Sequence, residues 1–388
     1  MFLVHGLQLI NFTMNIAVVK ETKYNEKRVA LTPAVALQFI KQGYTCFVED
    51  RAGYNSNFSN ESYQAVGCTI TNNKVDLLSN AAIVIKVNAP TDEEISLMKS
   101  GVVLISYVYH SFNPDLVSKL AKQGISAFSM DAMPRISRAQ SMDALSSQSN
   151  LAGYKAVIMG ADEMGKIFPL MMTAAGTITP SRILIFGAGV AGLQAVATAK
   201  RLGAIVEVTD VRPETKEQVE SLGGKFIEVK AEGVKVEGGY AKEVSADYLD
   251  KQKEAVNKSL AQADLVITTA LVAGKKAPVL INEEQVKLMK LGSVIVDMAV
   301  EQGGNCALSE LDKTITTSNG VIIVGQSNLP STLAQNASEL YAKNVFNFLT
   351  HLSTKDGMKW ETEEEITKGT LITHQQKIVH PSLQTVTE

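Results

Sequence analysis

Short apolar runs and longer segments with helical periodicity alternate along most of this chain. Four apolar runs typical of buried strands occupy its first third: 15–19, 44–48, 82–87 and 102–107. After the first run, Thr32 and Pro33 predict the start of a helix, because proline is favoured at the first helical position. Strands that alternate with helices are typical of parallel sheets. Residues 14 to about 130 are therefore predicted to form one doubly wound α/β domain.

The same alternation returns in the second half of the chain. Five further runs predict strands: 183–186, 205–209, 265–268, 294–296 and 321–324. Helical patterns separate most of them, and another helix is predicted from Ser331 onward. Residues 229–245 differ, because they are rich in glycine, lysine and glutamate and lack an apolar period. They are predicted to form a long irregular loop, and such loops in compact domains are usually functional or disordered.

A long helix-compatible stretch lies between the two halves and extends to about Lys166. Ser137 and Gln140 have the spacing of a capping box, which predicts the helix start. Small residues recur at every fourth position of this helix: Ala152, Ala156 and Gly160. Such a stripe either lets another helix or subunit approach closely or belongs to an ordinary interior helix at a domain junction.

Composition and charge exclude several classes of protein. Hydrophobic residues make up 45% of the chain and the net charge is -3, so no basic excess indicates nucleic-acid binding. The cysteines Cys46, Cys68 and Cys306 form no CxxC pair and the histidines are dispersed, so neither disulfides nor a metal site are expected. No apolar run reaches the length of a transmembrane helix. Residues 1–13 lack the features of a signal peptide and are interpreted as an N-terminal extension.

A glycine-rich turn follows the first strand of the second half. Gly187, Gly189 and Gly192 form G-x-G-x-x-G, with an apolar strand before them and a helical pattern at 193–202 after them. This context is the one that dinucleotide binding requires. The first glycine permits a tight turn, the second lets the pyrophosphate approach the backbone, and the third lets helix and strand pack closely. The helix N-terminus then offers unpaired N–H groups to the phosphates.

An acidic residue at the end of the next strand bears on the choice of dinucleotide. Asp210 lies about twenty residues after the glycine turn, where a carboxylate accepts hydrogen bonds from the adenosine ribose and repels a 2′-phosphate. Arg212, two residues later, could offset that repulsion. Because the carboxylate at the strand tip has the better-defined geometry, NAD(H) is predicted over NADP(H).

Five segments of the chain resemble a known family. They are 135–150 with the Leu-Ala-Gly-Tyr-Lys that follows, 187–204, 238–243, 268–271 with 274–278, and 297–305. Together they resemble the NAD(H)-binding α subunit (domain I) of proton-translocating nicotinamide nucleotide transhydrogenase. The resemblance extends over nearly all of the chain from Met14 onward.

The resemblance implies a specific role for the chain. It implies an enzyme subunit that binds NADH and delivers hydride directly to NADP⁺ held on a partner domain. Proton movement is coupled to this transfer through separate membrane-spanning subunits. It also implies a homodimer in the cytoplasm, attached peripherally to the cytoplasmic face of the inner membrane through its partners. Since this chain carries no membrane span, it resembles the form in which these components are separate polypeptides.

Taken together, the patterns and the resemblance predict two Rossmann-like doubly wound parallel-sheet domains joined by long helices. The predicted division has three segments. Residues 1–13 form the extension, 14–145 with 335–388 form the first Rossmann-like domain, and 146–334 form the NAD(H)-binding Rossmann domain.

The matched motifs also imply site residues. Those implied for catalysis are Arg135, Gln140, Asp143, Ser146 and Tyr240. Those implied for cofactor binding are Arg135, Ile136, Ser137, Arg138, Gly187, Gly189, Val190, Gly192, Asp210, Val211, Arg212, Gly239, Gln252 and Leu271. Hydride transfer between two nicotinamides needs no general acid or base, so positioning carries the catalysis.

Four of these side chains have expected positioning roles. Arg135 can pair with Asp143 if the loop folds back. Ser146 can reach the carboxamide of the nicotinamide, and Gln140 can point to the second nucleotide. A solvated helix at the domain junction is the plain alternative for these polar residues.

Alanine dehydrogenase is the nearest alternative, because it shares the architecture and several motifs. Arg28 and Lys86 resemble its carboxylate-binding arginine and its substrate lysine. The histidine that the enzyme needs for proton transfer aligns with Tyr109, and His110 is one residue away. Glu301 lies where these dehydrogenases tend to have aspartate. Arg28 and Lys86 are therefore expected to be structural or surface charges.

A second alternative is a binding module that senses NADH without catalysis. Such a module would lack the nicotinamide loop, but the segment from Arg135 to Ser146 is intact. The enzyme subunit is therefore the favoured interpretation.

Overall fold

The fold of the chain is α/β, with parallel sheets flanked by helices. The computed structural model describes residues 14–228, 246–271, 275–354 and 357–384. The extension at 1–13 and the predicted loop at 229–245 lie outside the described residues. Within the described ranges no helix is both long and apolar enough to cross a membrane.

The strands occupy positions throughout the chain. They are β1 Asn15–Val18, β2 Thr45–Glu49, β3 Thr69–Thr71, β4 Ile83–Ile85, β5 Val103–Ser106, β6 Ser126–Ser129, β7 Met171–Thr173, β8 Gly176–Ile178, β9 Arg182–Phe186, β10 Ile205–Thr209, β11 Lys225–Phe226, β12 Leu265–Thr268, β13 Val294–Asp297, β14 Thr314–Thr316, β15 Ile322–Val324, β16 Ser353–Thr354, β17 Gly357–Met358, β18 Leu371–His374 and β19 Lys377–Ile378. All nine predicted strands are confirmed, with shifts of one or two residues at their ends.

Helices connect most of these strands. They are α1 Pro33–Lys41, α2 Asn60–Gln64, α3 Lys74–Ser79, α4 Asp92–Leu97, α5 Pro114–Gln123, α6 Ala144–Glu163, α7 Val190–Arg201, α8 Lys216–Ser221, α9 Ala246–Gln262, α10 Glu283–Lys287, α11 Ala334–Leu352, α12 Glu365–Thr370 and α13 Pro381–Gln384. Proline is the first residue of α1, as predicted, although the side chain of Thr32 makes no capping hydrogen bond.

The chain divides into two compact units. The first unit runs to Ser147 and resumes at Ala334, and the second unit comprises Gln148–Leu333. Helix α6 carries the chain out of the first unit, and α11 begins where the chain returns to it.

The first unit is built on an eight-stranded sheet in the order β19-β18-β6-β5-β4-β1-β2-β3. From β6 to β3 neighbouring strands are parallel, whereas β18 and β19 add antiparallel pairs at one edge. Successive residues of a strand point to opposite faces, so Ile16 and Ala17 belong to hydrophobic clusters on different faces of the sheet. Tyr341 and Phe348 of α11 are fully buried in the cluster that holds Ile16.

The second unit is built on a seven-stranded sheet in the order β11-β10-β9-β12-β13-β15-β14. Its pairs are parallel except for β14 with β15. The chain runs from β9 outward to β11 and then continues at β12 on the other side of β9. The strand order therefore reverses between β9 and β12, and ligands of open α/β sheets bind at the carboxyl ends of strands at such a point.

The small-residue stripe of α6 packs inside the second unit. Ala152 and Ala156 are buried in its hydrophobic cluster, and a Cβ at Gly160 would lie 2.5 Å from the Leu265 side chain of β12. A Cβ at Gly153 would lie 2.1 Å from the backbone oxygen of Ala191 in α7. The helix is therefore interior to the second unit, and the glycine beside the stripe lets another helix, α7, approach closely.

The predicted start of this helix is wrong. A 3₁₀ helix covers Ser137–Met142, and α6 begins only at Ala144. The Asp143 carboxylate accepts a hydrogen bond from the Ser146 backbone N–H at 2.9 Å, which makes Asp143 the N-cap. Ser137 makes no such bond, because its segment has already adopted the tighter helix.

Candidate functional site

The glycine turn after β9 has the geometry that its three glycines predict. Gly187 has φ of +99°, a conformation that side chains disfavour. A Cβ at Gly192 would lie 1.8 Å from the backbone oxygen of Gly187, so only glycine allows helix α7 to pack against the turn. A Cβ at Gly189 would meet nothing within 4 Å, which leaves the backbone open to an approaching group.

Helix α7 begins directly at this turn. Gly189 is its N-cap and provides no side-chain hydrogen bond to the first-turn N–H groups. The side chain of Val190 at the first helical position is 40% exposed. Uncapped N–H groups and the positive end of the helix dipole form a site for a phosphate group. The residues present therefore fit the pyrophosphate of a dinucleotide.

Thr269 connects the glycine turn to the neighbouring strand. Its hydroxyl donates a hydrogen bond of 3.0 Å to the backbone oxygen of Phe186, and its oxygen lies 2.4 Å from the position of a Cβ at Gly187. The residue lies directly after β12, across the point where the strand order reverses. We assigned no role to Thr269 from the sequence. A polar residue just beyond a buried strand at the reversal point is the signal that would have identified it.

Asp297 organises the loop that follows β13. Its buried carboxylate accepts hydrogen bonds from the hydroxyls of Thr268 and Ser309 and from three backbone N–H groups, including that of Asn305. The Asn305 side chain in turn accepts a hydrogen bond from the Ala270 N–H and donates one to the Ala270 carbonyl. This network fixes the loops at the carboxyl ends of β12 and β13. The sequence motifs included this segment but did not reveal the positioning role of Asp297.

Asp210 lies at the end of β10, beside the glycine turn. One carboxylate oxygen accepts from the Ala188 backbone N–H at 2.6 Å, and the other accepts from the Arg212 backbone N–H at 2.8 Å. The Arg212 guanidinium donates to both oxygens at 3.0 Å. Burial raises the pKa of Asp210, but these hydrogen bonds outweigh it and hold the pKa below its ordinary value. Val211, between them, is 91% exposed.

Two further predicted nucleotide contacts lie in the second unit. Leu271, after β12, is half exposed, and Gln252 lies partly buried on α9. Gly239 and Tyr240 lie outside the described residues.

The nicotinamide loop predicted from the sequence belongs to the first unit. Arg135 and Gln140 are exposed, and Ser137 is exposed at the start of the 3₁₀ helix. Ile136 is partly buried and packs against the hydrophobic cluster that holds Ile16. Arg138 lies 3.2 Å from Glu364 and 3.4 Å from Glu365.

Asp143 makes a different contact from the one expected. Both oxygens of its carboxylate accept from Ser146, one from the backbone N–H and one from the hydroxyl at 2.6 Å. In the part of the chain that the structure describes, no ion pair joins Arg135 to Asp143. The Asp143 carboxylate instead accepts hydrogen bonds at the N-terminus of α6.

The charges that resemble a dehydrogenase substrate site are buried and paired within the first unit. The Arg28 guanidinium donates to both oxygens of Glu26, at 2.8 and 2.7 Å. Lys86 lies 3.3 Å from Glu94 and 3.7 Å from Glu21. Burial raises the pKa of Glu26, but Arg28 outweighs this effect and lowers it to about 2. Arg28 and Lys86 are both buried, so the expectation that they are surface charges is wrong, and a structural role for them stays a prediction.

His110 is held by the C-terminal segment of the first unit. Its ring lies 4.3 Å from the His380 ring, and its Nε2 lies 3.3 Å from the Ser382 hydroxyl. Burial and His380 hold the pKa of His110 below its ordinary value, against the opposing effect of Asp131. Tyr109, which aligns with the catalytic histidine of the alternative enzyme, has φ of +48° and is 41% exposed.

Two family models together match most of the chain. Residues 17–152 match the N-terminal domain model of the alanine dehydrogenase/PNT family, and residues 156–381 match its C-terminal domain model. A Rhodospirillum rubrum protein, named as the first part of NAD(P) transhydrogenase subunit alpha, is 52% identical over 380 residues, which cover 95% of this chain and 99% of that protein.

A solved structure and a more distant relative complete the comparison. The transhydrogenase structure from Sinorhizobium meliloti superposes with a TM-score of 0.86 at 42% identity, and covers 94% of this chain and all of that one. Alanine dehydrogenase of Bacillus subtilis is 29% identical over 353 residues, which cover 89% of this chain and 87% of that enzyme. The chain therefore belongs to the alanine dehydrogenase/PNT family, and within it to the α subunits of the NAD(P) transhydrogenase enzymes.

Proposed function

We propose that this chain is the NAD(H)-binding subunit of a proton-translocating transhydrogenase, which passes hydride directly between NADH and NADP⁺ held on a partner domain. The observation that carries the proposal is the glycine turn at Gly187, with open backbone at Gly189 and an uncapped helix N-terminus beside it. This turn occurs in a chain that is 52% identical to a transhydrogenase α subunit.

We propose that the second unit binds NAD(H) in preference to NADP(H). The carboxylate of Asp210 is held beside the glycine turn by the Ala188 backbone N–H. In a Rossmann fold, a carboxylate about twenty residues after the glycine turn accepts hydrogen bonds from the adenosine ribose hydroxyls and repels a 2′-phosphate. Val190, Val211, Gln252 and Leu271 are proposed as further contacts, with Gly239 from the segment outside the described residues.

Catalysis in this proposal rests on positioning. The nicotinamide supplies the hydride when the nucleotide is bound, and no proton on oxygen or nitrogen moves in the same step. The Ser146 hydroxyl donates a hydrogen bond to Asp143, so its oxygen can accept one from a group such as a carboxamide N–H. Arg135 and Gln140 are proposed to contact the nucleotides, and Tyr240 completes the proposed set.

The proposed partners are an NADP(H)-binding subunit and membrane-spanning subunits. The Rhodospirillum rubrum relative is named as only one part of its subunit alpha, which supports an assembly of several polypeptides. We propose that those partners couple the reaction to proton movement and hold this chain at the cytoplasmic face of the inner membrane. A homodimer of this chain is included in the proposal.

The test is reconstitution of hydride transfer. The purified chain is mixed with the NADP(H)-binding domain of a transhydrogenase, and reduction of thio-NADP⁺ by NADH is followed by absorbance. Each protein alone is the control. Transfer that requires both proteins is the expected result. NADH binding without transfer to thio-NADP⁺ would refute the proposal.

Alanine dehydrogenase activity is the second candidate, because a Bacillus subtilis enzyme of that name is 29% identical over 353 residues. Its test is NADH oxidation with pyruvate and ammonium. We expect no activity, because the charges of Arg28 and Lys86 are compensated by buried carboxylates. In addition, the His110 ring packs against the His380 ring.

A further inference from the structure

The carboxylate of Asp210 has no acceptor position left in this structure. A carboxylate offers about four lone-pair sites to donors. Two sites are filled by the backbone N–H groups of Ala188 and Arg212. The other two are filled by the Nε and Nη2 atoms of the Arg212 guanidinium, each at 3.0 Å.

The two kinds of donor differ in how easily they are removed. The backbone N–H groups belong to the glycine turn and to the turn that follows β10, so they are less easily displaced than a side chain. The Arg212 side chain is 48% exposed, and its contact with Asp210 joins residues only two apart. Exposed ion pairs of this kind contribute little stability and are screened by salt. The guanidinium is therefore the donor that an incoming ligand can displace.

We propose that Arg212 determines how strongly this site discriminates between NAD(H) and NADP(H). The 2′- and 3′-hydroxyls of the NADH ribose need the two acceptor positions that the guanidinium fills, so Arg212 competes with NADH for Asp210. The displaced guanidinium can form a bidentate contact with a 2′-phosphate, which favours NADPH. This inference rests on the proposed dinucleotide site, and it replaces the NAD(H) contact that the resemblance implies for Arg212 by competition with NADH for Asp210.

The proposal predicts opposite effects on the two nucleotides when Arg212 is replaced by alanine. Binding of NADH tightens by about three- to fivefold, the size of a partly exposed ion pair that no longer has to be broken. Binding of NADPH weakens by about tenfold or more, because a charged hydrogen-bond donor to the phosphate is lost. The dissociation constant for NADPH divided by that for NADH therefore increases by more than an order of magnitude.

The experiment measures NADH and NADPH binding to the full chain by nucleotide fluorescence and titration calorimetry. The variants are Arg212→Ala and, as a matched control, Arg201→Ala, which removes the same charge at the far, exposed end of α7. Thermal unfolding checks that each variant is folded. Arg201→Ala is expected to leave both dissociation constants unchanged.

A second set of variants, made in an Asp210→Asn chain, distinguishes competition between Arg212 and NADH from direct contact between them. In an Asp210→Asn chain the guanidinium has no carboxylate to occupy, so adding Arg212→Ala should no longer tighten NADH binding. The proposal is overturned if Arg212→Ala weakens NADH and NADPH by the same factor, because Arg212 would then contact a group that both nucleotides share. It is also overturned if neither constant changes. A wild-type chain that binds no NADH refutes the proposed function itself, which is a different outcome from either of these.

Discussion

Adding one methyl group at Gly192 tests the geometry of the glycine turn most directly. A Cβ there would lie 1.8 Å from the Gly187 backbone oxygen, whereas real Cβ contacts essentially never fall below 3.0 Å. The turn and α7 must therefore separate by about 1 Å, against a core in which side chains are close-packed. Overpacking of this kind costs about 1–3 kcal/mol, and more where backbone has to move.

The expected result for Gly192→Ala is a less stable second unit with impaired NADH binding. For a unit of this size, that cost corresponds to a fall in melting temperature of about 2–12 °C. Melting is followed by calorimetry, and NADH binding is measured by nucleotide fluorescence on the folded fraction.

Two matched alanine variants distinguish an effect on stability from an effect on NADH binding. A Cβ at Gly189 or at Gly165 would meet nothing within 4 Å, and neither glycine has positive φ. Gly189→Ala should therefore melt like the wild type but bind NADH more weakly, because its methyl group occupies the path of the pyrophosphate. Gly165→Ala should change neither property. Wild-type melting of Gly192→Ala, or wild-type NADH affinity of Gly189→Ala, would refute the reasoning.

Four further predictions concern the first unit. Glu26→Gln leaves the buried Arg28 charge uncompensated and should cost about 3–5 kcal/mol in urea unfolding, whereas a loss below 1 kcal/mol would contradict a buried pair. Because the folded-state pKa of Glu26 is lowered to about 2, its stabilisation is present above about pH 4.5 and is lost as the pH falls toward 2. The urea midpoint of the wild type should therefore fall with pH across this range, and that dependence should be absent from Glu26→Gln. The pKa values of His110 and His380 are lowered in the folded state, so stability should fall as the pH drops below about 6.5. A urea midpoint that does not change with pH in this range, and that His380→Gln does not alter, would exclude this prediction. Asp143→Ala removes the cap of α6 and should lower stability by about 1 kcal/mol, with Asp143→Asn retaining most of it.

The features that sequence predicted well are those whose physical cause is local. The requirement for glycine at Gly187 and Gly192 comes from a turn that spans six residues, so a short motif contains it. The position of Asp210 follows from the length of one helix and one strand. Continuous apolar runs predicted the central strands, because strands of a parallel sheet are buried on both faces.

The features that sequence missed depend on partners far along the chain. Strand β6, Ser126–Ser129, has polar residues at both ends and gave no apolar run, yet all four residues are buried between β5 and β18. Lys86 is buried because Glu94 and Glu21 converge on it, which no local pattern reveals. The capping box at Ser137 failed because spacing alone does not show that Asp143 competes for the same helix.

The first unit is interrupted along the chain, since it stops at Ser147 and resumes at Ala334. Protein synthesis proceeds from the N-terminus, and domains generally fold as units as they emerge. All of the second unit is therefore made before α11 and β18 exist, and it can fold while the first unit is still incomplete. Until then the edge of β6 has no antiparallel neighbour, and the apolar face that Tyr341 and Phe348 later cover is open. The first unit is thus the first to begin synthesis and the last to complete its fold. Between those two events the nascent chain exposes an unpaired strand edge and most needs protection from aggregation.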